Sequence, residues 1–239
     1  MRVLITNDDS VSAAQLLPLV RWWQKRAEVT VVVPEFEQSG KSHSIELHKA
    51  FRAVPRQVEE ISLWTVDSSP ADCVRFAVMG LKMQFDLVVS GVNKGYNMGL
   101  DVMYSGTAAA IFEACALGIP AIALSTGVRE YDRATCYLDQ VWDYVVSQKL
   151  LQRHSLYNIN IPRDPKGIRI TRQGGPYYCD EFEPQGEDLY MPRGFCVYEN
   201  SNDLTLDTDC VTAGYISITP MTINRTDHGA YDQLKALNP

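Results

Sequence analysis

The chain lacks any apolar run approaching the ~20 residues that cross a bilayer, and no apolar leader segment follows Arg2, so a cytoplasmic location is the expectation. Positive charge is scarce: 22 Lys and Arg stand against 29 Asp and Glu, a formal net charge of -7. A protein that binds duplex nucleic acid needs the opposite surface. A small phosphorylated substrate stays open, because one metal ion or helix end can reverse the sign locally. The 6 cysteines (Cys73, Cys115, Cys136, Cys179, Cys196 and Cys210) include no C-x-x-C pair. Zinc-site spacing is therefore absent, and free thiols in a reducing compartment are expected. None of the 4 histidines (His43, His48, His154 and His228) forms a spaced ligand pair; His43, in the loop that also carries Ser39, is the one placed to reach a substrate. No G-x-S-x-G elbow, Walker loop or G-x-G-x-x-G fingerprint occurs.

What is present is ordinary globular composition, 46% hydrophobic and 21% charged over 239 residues, enough for one large domain or a domain with an extension. Through Pro162 the pattern alternates strand and helix, as βαβ units do. Val3–Thr6, Val29–Val33, Ile61–Val66, Asp86–Ser90, Ala121–Leu124 and Leu156–Ile161 read as strands. Helices are expected from Ala13 to Arg26, from Pro70, from Ala108 to Leu117 and from Tyr131 to Gln148. This predicts a three-layer α/β core over residues 1–162 with a mainly parallel sheet. Beyond Pro162, Pro, Gly and aromatic residues become frequent, with strand-like segments at Gly167–Thr171 and Gly214–Thr219 and no helical pattern between them. Residues 163–239 thus read as a β-rich extension of hairpins and tail, with a short helix around Tyr231–Leu237 that docks on a neighbour.

Chemistry concentrates at four places. The first strand ends in Asn7-Asp8-Asp9, and adjacent carboxylates repel unless water or a cation neutralises them. Ser39-Gly40, Ser90-Gly91-Val92-Asn93 and Ser105-Gly106-Thr107 are the others, and in a parallel sheet such loops share one edge. Carboxylate, hydroxyl and amide oxygens converging there suit a hard cation, Mg²⁺ or Mn²⁺, with positions left for water and substrate. Each place also has a plain structural meaning when read alone. Asp8-Asp9 can cap a helix, Ser39-Gly40 can be a turn, and Asn93 can occupy a left-handed position. Ser105-Gly106-Thr107 can be a capped first turn or an anion site.

In combination the motifs resemble the SurE family of survival-protein nucleotidases. NDD follows the first strand and SG lies after the second. SPADC, VVSGVNKGYNMG, YSGTAAA, YNINIP and GYISITP then come in order, from Met1 to about His228. The resemblance implies a Rossmann-like core and a C-terminal extension exchanged between subunits, giving homodimers or homotetramers. It also implies a divalent-metal-dependent phosphomonoesterase acting on nucleoside 5′- and 3′-monophosphates. Carried over motif by motif, the ligands of one Mg²⁺ or Mn²⁺ per subunit are Asp8, Asp9, Ser39 and Asn93. The phosphate-binding groups are Asn97, Ser105, Gly106 and Thr107. The mechanism expected from these groups is hydrolysis by a metal-positioned water, with one of the paired aspartates, Asp8 favoured over Asp9, as its base.

The chain departs from the family at Ser10, Ala14 and Gln15, where NDDG and a later Pro-Gly are usual, and at Gly95-Tyr96 before Asn97. Serine tolerates poorly the backbone geometry a glycine would permit. Tyr96 is available to stack on a base, and Lys94 either adds phosphate affinity or points to solvent. Two other functions fit the same motifs: a non-catalytic sensor of nucleotides or phosphometabolites, and an exopolyphosphatase working mainly on short chains.

Overall fold

In the computed structural model, which describes residues 1–237, the apolar run at the N-terminus becomes β1 (Arg2–Thr6), with Val3, Leu4 and Ile5 wholly buried. Leu16, Leu19, Val20 and Trp23 recur at helical spacing and form the buried stripe of α1 (Leu16–Gln24). Next come β2 (Glu28–Pro34), β3 (Ala53–Val58) and β4 (Ile61–Val66). Helix α2 (Pro70–Arg75) begins with proline at its first position and with the Ser69 side chain accepting from the Asp72 N–H. Then follow β5 (Leu87–Lys94), α3 (Gly106–Ala116), β6 (Ala121–Thr126), α4 (Leu138–Ser147), α5 (Leu150–Arg153) and β7 (Leu156–Ile161).

The main sheet has the order β3-β4-β2-β1-β5-β6-β7 and then two later strands, β11 (Ile216–Pro220) and β8 (Ile168–Ile170). Its centre is parallel: β1 pairs with β2 on one side and with β5 on the other, and β5, β6 and β7 continue in the same sense. Helices cover both faces. One core layer joins α1 and α4 to the sheet through residues such as Leu19, Trp23, Val141 and Val89. The other joins α2 and α3 through Val74, Ala110, Ile111 and Val88. The strand order reverses between β1 and β5, and at such a switch point the two loops leaving the carboxyl ends diverge and open a crevice.

The tail differs in part from the expected extension. β8 and β11 join the main sheet, and a short helix, α6 (Asp207–Thr212), lies between them where no helical pattern was legible. Only the antiparallel ribbon β9 (Tyr178–Gly186) and β10 (Leu189–Cys196) stands apart, and it exposes Phe182, Leu189, Tyr190 and Phe195. A last helix, α7 (His228–Leu234), continues as a 3-10 turn to Leu237 and buries none of its residues. Asn238 and Pro239, the end of the predicted extension, lie outside the described residues. The helix expected from Tyr131 starts at Leu138; the preceding Val128–Tyr137 winds as 3-10 with Ala134 its buried residue.

Candidate active site

Asp8 and Asp9 leave β1 at the switch point. Register carries Thr6 opposite Ser90, so the Gly91–Asn93 stretch of β5 emerges beside them. The Lys94 N–H donates to Asp9 Oδ2 at 2.9 Å. The Asn93 amide nitrogen donates to the Gly95 carbonyl at 2.8 Å, which leaves its Oδ1 as a free oxygen. Glycine is required at Gly91, where φ is +135° and a Cβ would lie 2.3 Å from the Leu124 carbonyl.

The amino end of α3 closes on Asp8. Ser105 caps the helix by accepting from the Ala108 N–H at 3.0 Å. Thr107 donates its N–H to Asp8 Oδ2 at 3.2 Å and its hydroxyl to Oδ1. Gly106 is needed between them, because a Cβ there would stand 2.9 Å from Asp8 Cβ. Its N–H occupies the first helical position and has no acceptor within the helix. Positive helix end and free N–H together favour an anion at this spot.

Asp8 is 4% exposed, and burial pushes its carboxyl up to about 6, opposed by the Thr107 hydroxyl and reinforced by Asp9. Burial raises Asp9 as well. No cation contributes to the Asp8 balance, and Asp9 has only Lys94 set against its burial and the nearby Glu37, so two neighbouring carboxylates sit partly desolvated, an arrangement a divalent cation would relieve. The oxygen donors also fit such an ion. Among the described residues no group of three or more His, Cys, Asp or Glu is clustered; the donors gathered here are two carboxylates and the Asn93 amide oxygen, hard ligands of the kind a small divalent cation takes.

The loop after β2 is tied to the same place, the Gln38 N–H donating to the Asp8 carbonyl at 2.8 Å. That brings Ser39 to the rim, with its hydroxyl donating to Glu37 Oε1 at 2.7 Å rather than pointing at the aspartates. Further on, the Ser42 N–H donates to the Tyr104 carbonyl at 3.0 Å, and His43 Nε2 lies 2.9 Å from Glu113 Oε2. Ser10 takes a left-handed conformation with φ of 73°. It is held there by Asn7, whose amide nitrogen donates to the Ser10 carbonyl at 2.9 Å, and by a 2.9 Å contact between the Ser10 and Ser12 hydroxyls.

Asn97 is the most heavily braced residue of the glycine-rich loop. Its N–H donates to Asn160 Oδ1 at 2.9 Å, and its carbonyl accepts from Asn158 at 2.7 Å and from Asn160 at 2.8 Å. Its side-chain amide donates to the Ser125 hydroxyl at 2.9 Å and keeps a second N–H free. Two residues on, both oxygens of Asp207 accept from the Gly99 N–H at 3.1 Å. Sequence reasoning did not reach Ser125, Asn158, Asn160 or Asp207. The one signal was the pair of asparagines two apart in YNINIP, a polar face inside an otherwise buried strand. Tyr96 is half-buried against the turn at Gly127 and Glu130, whose charge joins burial in raising its phenol. It is therefore packed into the protein rather than presented to a base. Lys94 is exposed, with its ammonium 5.9 Å from the Tyr131 ring centroid.

Fold and site together define a doubly wound α/β protein whose switch-point edge gathers carboxylate and amide oxygens beside the free amino end of a helix. The profile of the family described as Survival protein SurE matches residues 3–180, and the chain belongs to that family. It is 37% identical to the 5′-nucleotidase SurE of Caldanaerobacter subterraneus subsp. tengcongensis, over 98% of this chain and 96% of the relative. It is 38% identical to the 5′-nucleotidase SurE of Thermosipho melanesiensis, over 95% and 93% of the two chains. The crystal structure of the SurE protein from Aquifex aeolicus superposes with a TM-score of 0.81 at 28% identity, covering 99% of both chains.

Proposed function

We propose that this chain is a divalent-metal-dependent 5′-nucleotidase that hydrolyses nucleoside monophosphates, at the 5′ and also the 3′ position, to nucleoside and phosphate. The observation that carries the reading is the meeting of Asp8, Asp9 and Asn93 with the amino end of α3 at the switch point of the sheet. The names of the relatives, each a 5′-nucleotidase SurE, support the reaction class.

Asp8, Asp9, Asn93 and, after rotation of its hydroxyl away from Glu37, Ser39 would hold one Mg²⁺ or Mn²⁺ per subunit. The ion supplies charge neutralisation at phosphorus. The chain supplies the rest by positioning. The Gly106 N–H, the Ser105 hydroxyl and the free amide hydrogen of Asn97 hold non-bridging oxygens, and the helix dipole favours their charge. Thr107 acts at one remove, fixing both oxygens of Asp8. Asp9 Oδ1 carries no hydrogen bond to the described residues, while Oδ2 is committed to Lys94. Asp9 is accordingly better placed than Asp8 to take the proton of an attacking water. The exposed apolar ribbon β9–β10 and the unburied α7 support a homodimer or homotetramer formed through the C-terminal extension.

Phosphate release from nucleoside monophosphates, with Mg²⁺ or Mn²⁺ and then with EDTA, tests the reading. Release that chelation abolishes is expected. A folded protein that releases nothing with either metal overturns it.

A further inference from the structure

Between β2 and β3 the chain runs from Glu35 to Arg52 without helix or strand, and none of these residues is fully buried. A segment with so little packing opens at small cost unless polar contacts hold it. This one carries Ser39, so whatever holds the loop decides where that hydroxyl stands. One anchor is the Gln38 N–H on the Asp8 carbonyl. Beyond Ser39, the Ser42 hydroxyl donates to the Met103 carbonyl at 2.6 Å, beside the N–H contact of Ser42 with Tyr104. The Ser44 carbonyl accepts from the Ser69 hydroxyl at 2.6 Å, and the Glu46 N–H donates to Asp72 Oδ2 at 2.8 Å. Ser39 thus lies on a short span fixed at both ends.

Two of the groups that grip the loop are carboxylates taken out of water: Asp72 on α2 is 2% exposed and Glu113 on α3 is 7% exposed. Asp72 Oδ2 holds the loop at Glu46 and accepts from the Ser68 hydroxyl as well, at 2.6 Å. Glu113 Oε2 holds it at His43, 2.9 Å from Nε2. Arg75 joins the two. Its guanidinium donates to Glu113 Oε1 at 3.1 Å and lies 3.6 Å from Asp72 Oδ1. One oxygen of each carboxylate therefore faces the arginine, and the other faces the loop. The hydrogen bond from His43, with further help from Arg75 and against burial, holds the Glu113 carboxyl below its usual range. Burying charge is costly even when it is paired. The two helices already meet in one apolar cluster through Val74, Ala110 and Ala114. What the charges add is a grip on a loop that has no buried side chain of its own.

We propose that Asp72, Arg75 and Glu113 form a latch that holds the Glu35–Arg52 loop over the site, with His43 as its catch, and that these four are positioning residues for Ser39. The inference rests on the metal-dependent reading above. It names groups outside the set of oxygen donors that govern the affinity for the ion.

The test uses the full-length protein and Mn²⁺ alone. His43→Ala and Glu113→Gln are expected to weaken Mn²⁺ binding in calorimetry about tenfold. His43→Gln, whose amide nitrogen can take the place of Nε2, should restore most of it. In a Ser39→Ala background neither change should have a further effect, because residues acting through one another are not additive. Full additivity overturns the proposal, as does wild-type affinity in His43→Ala. Hydrogen exchange reads the latch without the ion. The Ser42 and Glu46 amides should exchange about tenfold faster in His43→Ala, with the amides of β6 unchanged. Equal acceleration in β6 would reduce the cluster to a general stabiliser and overturn the latch, as would unchanged rates at Ser42 and Glu46. No Mn²⁺ binding by the wild type would instead count against the metal-dependent reading, and the exchange rates would still decide whether the latch holds the loop.

Discussion

Thr107 commits both its backbone N–H and its hydroxyl to the two oxygens of Asp8. A residue at the start of one helix therefore sets the orientation of a carboxylate at the end of a strand 99 positions earlier. Partners of this kind cost about 10–100-fold when removed. Thr107→Val, which keeps the shape and deletes the hydroxyl, should lower kcat/KM for a nucleoside monophosphate by about that factor. Thr107→Ser should retain most activity. Equal rates for valine and serine would show that the hydroxyl does not orient Asp8.

Asp8→Asn and Asp9→Asn keep the size of the side chain and remove its charge. Each should reduce turnover by about 10³-fold or more with the fold retained, and each should weaken Mn²⁺ binding measured by calorimetry. Near-normal turnover in both would dismiss the aspartate pair as the metal site.

Ser10 carries a positive φ without being glycine. A left-handed residue with a side chain costs about 1–3 kcal/mol, and glycine gives back part of that gain through the entropy of the unfolded chain. Ser10→Gly should raise the stability from urea unfolding by about 0.5–1 kcal/mol. A lower denaturation midpoint would mean that the hydroxyl contact with Ser12 outweighs the backbone term.

Asn160 both accepts from and donates to the backbone of Asn97 and is fully buried. Asn160→Ala strands the Asn97 N–H in the interior, a loss of about 1–3 kcal/mol for that unsatisfied group, while the Asn97 carbonyl keeps its bond from Asn158. Activity should fall with it, because Asn97 loses its brace. Equilibrium unfolding and initial rates measured on the same preparation check both halves.

Glu113 is depressed below its ordinary 4.5 by the hydrogen bond from His43, with Arg75 facing its other oxygen. A depressed carboxyl adds stability that is fully present above its unfolded value and is lost as pH falls through the folded one. The stability advantage of the wild type over Glu113→Gln should therefore hold from neutral pH to about 5 and shrink below about 4.5. A difference that grows on acidification would contradict the sign.

The parallel core was legible because its strands are short apolar runs bounded by turn residues, and Ile61–Val66 matches β4 residue for residue. β3 was not, since Ala53–Val58 carries Pro55, Arg56 and Gln57 and reads as loop; it is an edge strand, where a missing N–H and polar side chains are tolerated. α6 spans only Asp207–Thr212, too short to show a period, and long-range contacts such as Asp207 with Gly99 hold it in place. In the site, Asp8, Asn93 and Thr107 announced themselves through residue type at strand and helix ends. Asn158 and Asn160 did not, because their partner is the backbone of a loop more than 60 positions away, and backbone geometry leaves no mark on composition.

The switch point between β1 and β5 has a bearing on how the protein comes into being. The Asp9–Lys94 and Asp8–Thr107 contacts span 85 and 99 positions, so no local segment can rehearse the reactive geometry before the middle of the sheet has closed. A chain still being synthesised is inert until residue 107 has emerged and α3 has docked. In refolding, the return of activity is therefore a clock for the closing of the central seam.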